Sequence, residues 1–403
     1  MGNSTLNNSN IKVSINLLAK EYFNEIVEIR RHLHRWPELS KKEFATSDFI
    51  CRELDKMELS YRRNIGGNGI MGFVEGSRDN GKCVAFRADM DALPINEENN
   101  HDFVSQNPGV MHACGHDMHI ASLLGTIKIL KSLSNEFSGR FMFIFQPSEE
   151  EYPGGAISML NDGIFDEVIP NEIFAFHSTP EMETGYIGIK PGKYMASTDE
   201  FYIEVEGKGG HGATPDINID PILIASHIVV GLQSIVSRNA QPTTPTTISI
   251  GKFIGNGRTN IIPDKVNLEG IIRTFDEDWR KECHRLIKRI STNIAESFGG
   301  KAKVFVDSGY PYVYNDIDLT KKAMSIAREY LSEENVLELK ERMTAEDFSY
   351  FAQKTKGCYF RVGTKKKDEA ITNLHTSKFD IDEKSMEFAM GLSAFLIISL
   401  LKA

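Results

Sequence analysis

The sequence has no surplus of positive charge, and its strongly apolar C-terminal run is shorter than a membrane span. Its 46 lysines and arginines stand against 56 aspartates and glutamates, a net charge of −10. An acidic chain without a Lys/Arg run gains no attraction to phosphate backbones, which argues against nucleic acid as a partner. The apolar stretch from Phe388 to Leu401 falls short of the ~20 residues a bilayer span requires. It reads as a buried helix closing the core, and no membrane partner is expected. Cysteine is scarce. The five residues, at 51, 83, 114, 283 and 358, are scattered and odd in number. The opening segment MGNSTLNNSNIKVS lacks the apolar core of a secretory signal, and Leu6 stands where a myristoylation signal wants Ser or Thr. Reduced thiols in a cytoplasmic protein are therefore expected. A P-loop, an H-E-x-x-H helix and a G-x-S-x-G elbow are all missing, which removes three common catalytic readings. Repeats and low-complexity tracts are missing too.

What is present is ordinary in bulk: 41% hydrophobic and 25% charged residues, the composition of a globular protein. At 403 residues the chain exceeds the size at which one core stops growing, so two domains are expected. Helical periodicity covers 14–35 and 45–58, with Leu17, Leu18, Tyr22, Ile26 and Ile29 spaced for one face. Strands follow at 69–74, 82–87 and 140–145, with a helix at 117–133 between the last two and another apolar run from 173. This alternation predicts an α/β domain around a central mixed sheet flanked by helices. From Thr198 the order becomes strand (201–207), helix (219–238), strand (246–254), strand (265–275), helix (277–298) and strand (302–307). That is the β-α-β-β-α-β order of a ferredoxin-like α+β unit. The elements after it (helix 318–332, strand 358–362, helix 383–402) are too few to fold alone. The expected organisation is thus a catalytic domain from 1–193 and 308–403, with 194–307 inserted.

Several segments carry chemistry. Met111-His-Ala-Cys-Gly-His-Asp-Met-His119 packs three histidines, a cysteine and an aspartate into nine residues. Thiolate and imidazole are the usual borderline-soft ligands for zinc and its neighbours, and Cys114-Gly-His116 can curve around an ion. The plainer alternative is a histidine-rich turn capping the following helix. Gln146-Pro-Ser-Glu-Glu-Glu151 ends a buried strand, where adjacent carboxylates are costly unless a cation or proton compensates them. One carboxylate can hold metal while its neighbour takes a proton from water; a solvated acidic loop is the bland reading. His177 ends the run IFAF, and His375 sits in Asn-Leu-His-Thr-Ser-Lys-Phe; each alone reads as a structural histidine. The aspartates of Arg87-Ala-Asp-Met-Asp-Ala-Leu-Pro94, Asp89 among them, can fix a ligand imidazole from behind. His211, among the glycines of 207–215, can reach toward a substrate or lie in a flexible turn.

Taken together, the segments resemble the M20 metallopeptidase family, in its aminoacylase/amidohydrolase branch (hippurate hydrolases and indole-acetyl-amino-acid hydrolases). The likeness runs from HLHRWPELS (32–40) through RADMDALP, MHACGHDMH, FQPSEE, GKGGHGATP and TAEDFSYF (344–351) to LHTSKF (374–379), in the family's order. Sibling branches have a histidine where this chain has Arg87, and this branch compensates with a cysteine ligand, a pattern that Cys114 fits. The resemblance implies two divalent metal ions (zinc, manganese or cobalt) bound by Cys114, His116, Glu150, His177 and His375. Glu149 is implied as the general base that deprotonates a bridging water. His211 is implied as the oxyanion-stabilising group of a lid, often across a dimer interface, and Asn260 and Arg273 as anchors for the substrate carboxylate. The implied reaction is hydrolysis of an N-acyl-L-amino acid to a carboxylate and a free amino acid by a homodimer. A dipeptidase or carboxypeptidase of the same fold is the near alternative, and a catalytically silent small-molecule binding protein the distant one. Glu151-Tyr-Pro153 is an insertion relative to the common motif, beside the carboxylates.

Overall fold

The computed structural model describes residues 8–402, so Leu6 lies outside the described residues. The chain divides into two compact units. One comprises 1–192, 314–340 and 347–403; the other comprises 193–313 and 341–346. The expected insert was 194–307. Residues 341–346 join the second unit because Arg342 N donates to Tyr194 O (2.8 Å) and Ala196 N donates to Arg342 O (3.0 Å).

The first unit is built on an eight-stranded mixed sheet. Its order is Tyr61–Ile65, Gly69–Glu75, Arg140–Gln146, Cys83–Asp89, Glu172–Glu183, Lys356–Lys365, Ile187–Ile189, Val336–Glu338. The three pairings joining the strands Arg140–Gln146, Cys83–Asp89, Glu172–Glu183 and Lys356–Lys365 are parallel. Strands covered on both faces read as continuous apolar runs such as RFMFIF, and this one is buried at every position after Arg140. Phe86, Phe174, Phe176 and Phe360 stack across three neighbouring strands, with ring centroids 5.8 to 6.4 Å apart.

Three long helices pack together beside the sheet: Asn8–Arg35, His116–Ser132 and Ser385–Lys402. The first is amphipathic, burying Ile11, Ile15, Ala19, Ile26 and Leu33 at helical spacing. It starts six residues before the expected position 14, since Asn8–Val13 contributes only Ile11 to the core. The His116–Ser132 helix is buried almost throughout, from His116 to Leu130 with Lys128 alone excepted, as a helix enclosed on nearly every side is. Ser385–Lys402 is buried for most of its length and packs on both other helices, as the Phe388–Leu401 run led us to expect.

A buried charge network pins the start of the His116–Ser132 helix. Arg30, fully buried, donates from Nε to Asp117 Oδ2 (2.8 Å) and from Nη2 to Asp380 Oδ1 (2.9 Å). His34 bridges Asp117 Oδ2 (Nδ1, 2.8 Å) and Glu97 Oε1 (Nε2, 3.1 Å). Glu97 also accepts from Asn99 Nδ2 and Ser105 N, so this His/Glu cluster is already satisfied by hydrogen bonds.

The second unit carries a four-stranded antiparallel sheet ordered Thr246–Ile254, Lys265–Thr274, Asp199–Glu206, Lys301–Ser308, with helices Pro221–Ser234 and Glu277–Ser297 packed on it. In chain order the strands lie second, third, first, fourth, which is the ferredoxin-like arrangement. Each helix begins at an aspartate (Asp220, Asp276) whose carboxylate accepts backbone N–H groups of the first turn.

Burial alone would raise the Glu97 carboxyl, but His101, whose Nε2 lies 3.3 Å from Glu97 Oε1, and the bond with His34 hold it well below the usual glutamate range. A depressed carboxyl contributes stability that is full above its unfolded value and is lost as pH falls toward its folded value. Glu97→Gln is therefore expected to flatten the acid side of a melting-temperature-versus-pH curve. The same acid slope in variant and wild type would contradict this role.

Candidate active site

The carboxyl ends of the parallel strands converge on one cluster of side chains, the place where open α/β sheets put their functional groups. Cys83–Asp89 ends in Asp89, which pairs in register with Gln146 at the end of the next strand. His177 follows the buried segment Ile173–Phe176 and pairs with Arg361. Gly115 opens the His116–Ser132 helix at φ +86°, and a Cβ there would meet Ser178 Oγ at 2.6 Å. Glycine thus lets Cys114 and His116 curl against the His177 strand.

Cys114 is the centre of the cluster. Its Sγ lies 3.2 Å from His177 Nε2 and 3.2 Å from His375 Nε2. Candidate ligand atoms of Cys114, His116 and His177 lie within 4.8 Å of one another, as do those of Cys114, Glu150 and His375, and those of His116, Glu149 and Glu150. The structure thus brings together the five side chains Cys114, His116, Glu150, His177 and His375, with Glu149 beside them. His375 holds a left-handed backbone (φ +60°) and Ser148 does the same (φ +55°). Such conformations in non-glycine residues collect where a site demands them.

Hydrogen bonds set which atoms face the cluster. His177 Nδ1 donates to Ser178 O (2.7 Å), leaving the Nε2 lone pair toward Cys114. His119 donates from Nδ1 to Asp89 Oδ1 (2.6 Å) and accepts from Ser178 N at Nε2 (3.0 Å), so neither nitrogen is open to a ligand. Asp89 braces His119 and lies 3.7 Å from His116 Nε2. Among the described residues Glu150 Oε1 is buried without a hydrogen-bond partner, and His116 Nδ1 has only the 3.3 Å approach of Asp91 Oδ1. Both ring nitrogens of His112 are buried without hydrogen-bond partners among the described residues, a feature the sequence did not announce.

The electrostatics have one sign. Burial, then the charges of Glu150, Glu149 and Asp89, push the Cys114 thiol well up. Burial favours neutral His116, yet Asp89, Asp91 and Glu150 raise it to about 10. Burial and Arg361 hold His177 well below its usual value, and so neutral. A thiol, three imidazoles and two carboxylates in a negative field form a donor set that fits divalent cations, which would stabilise the thiolate and compensate the buried acids.

Arg87 is the counter-charge the structure itself supplies. Fully buried, it donates to Gln146 Oε1 (2.7 Å), Asp89 Oδ2 (2.7 Å) and Asp347 Oδ1 (2.8 Å). Asp347 Oδ2 accepts from Gln146 Nε2 (2.7 Å) and Ala156 N (3.0 Å). The TAEDFSYF motif therefore serves the site through Asp347, a role its sequence left unassigned.

The motifs and this geometry agree with a match to the model of peptidase family M20/M25/M40 over residues 85–398. The chain belongs to this family. Relatives of the M20 protein include an N-acyl-L-amino acid amidohydrolase of Geobacillus stearothermophilus (42% identical, covering 75% of this chain and 81% of the relative). Another is thermostable carboxypeptidase 2 of Saccharolobus solfataricus (38% identical, covering 94% and 96%). Among solved structures, a Bacillus subtilis dinuclear metal-binding peptidase of the family superposes with a TM-score of 0.80 at 32% identity, covering 95% of this chain and 99% of the other. The M20 protein described here is accordingly a hydrolase of amide bonds.

The remaining candidates lie on the second unit. His211 is exposed, and its main chain pairs with Ile261, next to Asn260. Its Nδ1 accepts from Ala213 N (3.0 Å), which leaves the proton on Nε2 as an outward donor. Asn260 is exposed, with its carbonyl accepting from Gly212 N (2.9 Å). Arg273 stands on the strand Lys265–Thr274, and its Nη1 is buried without a hydrogen-bond partner among the described residues.

Removing the Asp347 carboxylate leaves the buried Arg87 charge short of a partner. Asp347→Ala should cost about 3–5 kcal/mol of folding stability in urea titrations. A cost near that of an ordinary surface substitution would mean that the ion pair is not integral to the fold.

Proposed function

We propose that this protein hydrolyses the amide bond of N-acyl-L-amino acids, releasing a carboxylate and a free amino acid, with two divalent ions held by Cys114, His116, Glu150, His177 and His375. The carrying observation is the shared position of Cys114 Sγ, 3.2 Å from both His177 and His375. Mixed thiolate, imidazole and carboxylate ligation suits zinc, manganese or cobalt. When bound, such ions supply Lewis acidity toward the scissile carbonyl and the attacking water.

The chain's own groups do the rest. Glu149, buried beside His116 and Glu150, accepts the proton of the attacking water and delivers it to the leaving amine. Asp89 supports the cluster through His119 and Arg87. His211, with its proton on Nε2, is suited to donate to the oxyanion of the tetrahedral intermediate. Arg273 has an unspent guanidinium nitrogen for the substrate carboxylate, and Asn260 is its companion anchor. In this reading 1–193 and 308–403 are the catalytic domain of a cytoplasmic enzyme, and 194–307 a lid through which two copies pair. The exposed apolar residues Leu223 and Val230 on one helix of that segment, and Phe253 on its outer strand, support pairing.

A carboxypeptidase-like relative at 38% identity keeps dipeptide cleavage as the second reading. Turnover of N-acetyl amino acids is expected to exceed that of unblocked dipeptides, and activity on dipeptides alone would overturn the aminoacylase reading. Glu149→Gln should lower kcat by about a hundredfold or more, because the amide cannot accept the proton. Full activity in that variant would remove Glu149 as base. Val230→Lys is expected to sediment as a monomer where the wild type sediments as a dimer; a monomeric wild type would count against pairing.

A further inference from the structure

Building on that reading, we propose that Asp91 is a positioning residue that sets the general base and two of the metal-binding side chains in register through a single carboxylate. Its two oxygens reach both sides of the site. Oδ1 accepts from Glu149 N (3.1 Å) and lies 3.3 Å from His116 Nδ1. Oδ2 accepts from Glu150 N (2.9 Å) and from Ser40 Oγ (2.6 Å). Glu149 and Glu150 lie on one segment and His116 on another, and Asp91 touches both.

The turn that carries Glu149 and Glu150 depends on such an acceptor. Ser148 sits at φ +55°, a backbone region that side chains rarely adopt. Three successive amides, of residues 148, 149 and 150, point into the protein and need acceptors there. A second buried carboxylate takes the first of them: Glu43 Oε1 accepts from Ser148 N (2.7 Å) and Ser148 Oγ (3.1 Å). Asp91 takes the other two. Buried amides without acceptors are costly, so the turn holds its shape only while both acids are in place.

The contact with His116 adds a second function. A carboxylate facing Nδ1 holds a proton on that nitrogen and orients the ring, so that Nε2 is the nitrogen a cation would use. Asp91 itself contacts neither substrate nor reacting atom; it acts through the residues it holds. Asp89, the aspartate two positions earlier, is engaged with Arg87 and His119 instead, so the two acids of the RADMDALP segment have separate tasks.

The test is Asp91→Asn. The amide keeps the size of the carboxylate but turns one acceptor into a donor, which opposes one of the backbone N–H groups. The variant is expected to bind the same number of cobalt(II) ions as wild type and to show a changed visible ligand-field spectrum. Its kcat per folded molecule should fall about 10–100-fold with KM nearly unchanged. A merely structural role would lower the melting temperature and the folded fraction, and leave the spectrum and the kcat of the folded molecules as they were; that result would overturn the proposal. If Asp91→Asn does not fold, Ser40→Ala reads the same acceptor, because it removes one contact and spares the carboxylate. A lower kcat with an altered cobalt spectrum is expected there, and wild-type values for both would overturn the proposal. Wild-type protein that cleaves no amide would overturn the proposed reaction instead, and the cobalt spectra would still decide the role of Asp91.

Discussion

The constraint on which the rest of the first unit depends is buried negative charge. Asp89, Asp91 and Glu149 are buried near the ends of parallel strands, and burial with the charges of Glu150, Glu149 and Asp89 pushes the nearby Cys114 thiol up. Charges taken out of water are costly unless partners compensate them. Arg87 compensates the inner side, bonded to Asp89, Asp347 and Gln146 at once. The outer side, where His116, Glu150, His177 and His375 gather around Cys114, is left to the cations of our proposal.

The architecture can be understood as a means of meeting that demand. Parallel strands with helices on their faces leave their carboxyl ends open to loops, and those loops are where Asp91, Cys114 and Glu149 stand. The His116–Ser132 helix fixes one wall of the site, and Arg30 and His34 hold its first turn through Asp117. Because that helix is enclosed by two others and by the sheet, His116 has little freedom to move. Rigid placement of this kind lets a metal or a substrate bind without first ordering the chain.

Much of this was legible in the sequence, for a physical reason. A buried strand ending in Glu-Glu, or a turn packed with Cys and His, conflicts with burial unless a function resolves the conflict. Such conflicts single out Cys114, His116, Glu149 and Glu150 as candidates. The alternation of strands and helices marked the sheet, and the ferredoxin-like order marked the inserted segment. Other features were not legible locally. The edge strand Tyr61–Ile65 is polar and half exposed, and Ile187–Ile189 and Val336–Glu338 are three residues long, so none carries a period. Glu43, Asp91 and Asp347 find their partners far along the chain, and no local spacing encodes such meetings. His119 shows the converse: it shares a motif with Cys114 and His116, yet both its nitrogens are spent within the protein.

The central claim, that the Cys114 cluster is a two-ion catalytic centre, is tested most directly by elemental analysis of the purified protein, paired with an N-acyl amino acid assay before and after chelation. The account predicts about two divalent ions per chain, with activity lost on chelation and recovered when zinc, manganese or cobalt is restored. Metal-free protein with undiminished amide cleavage would contradict it.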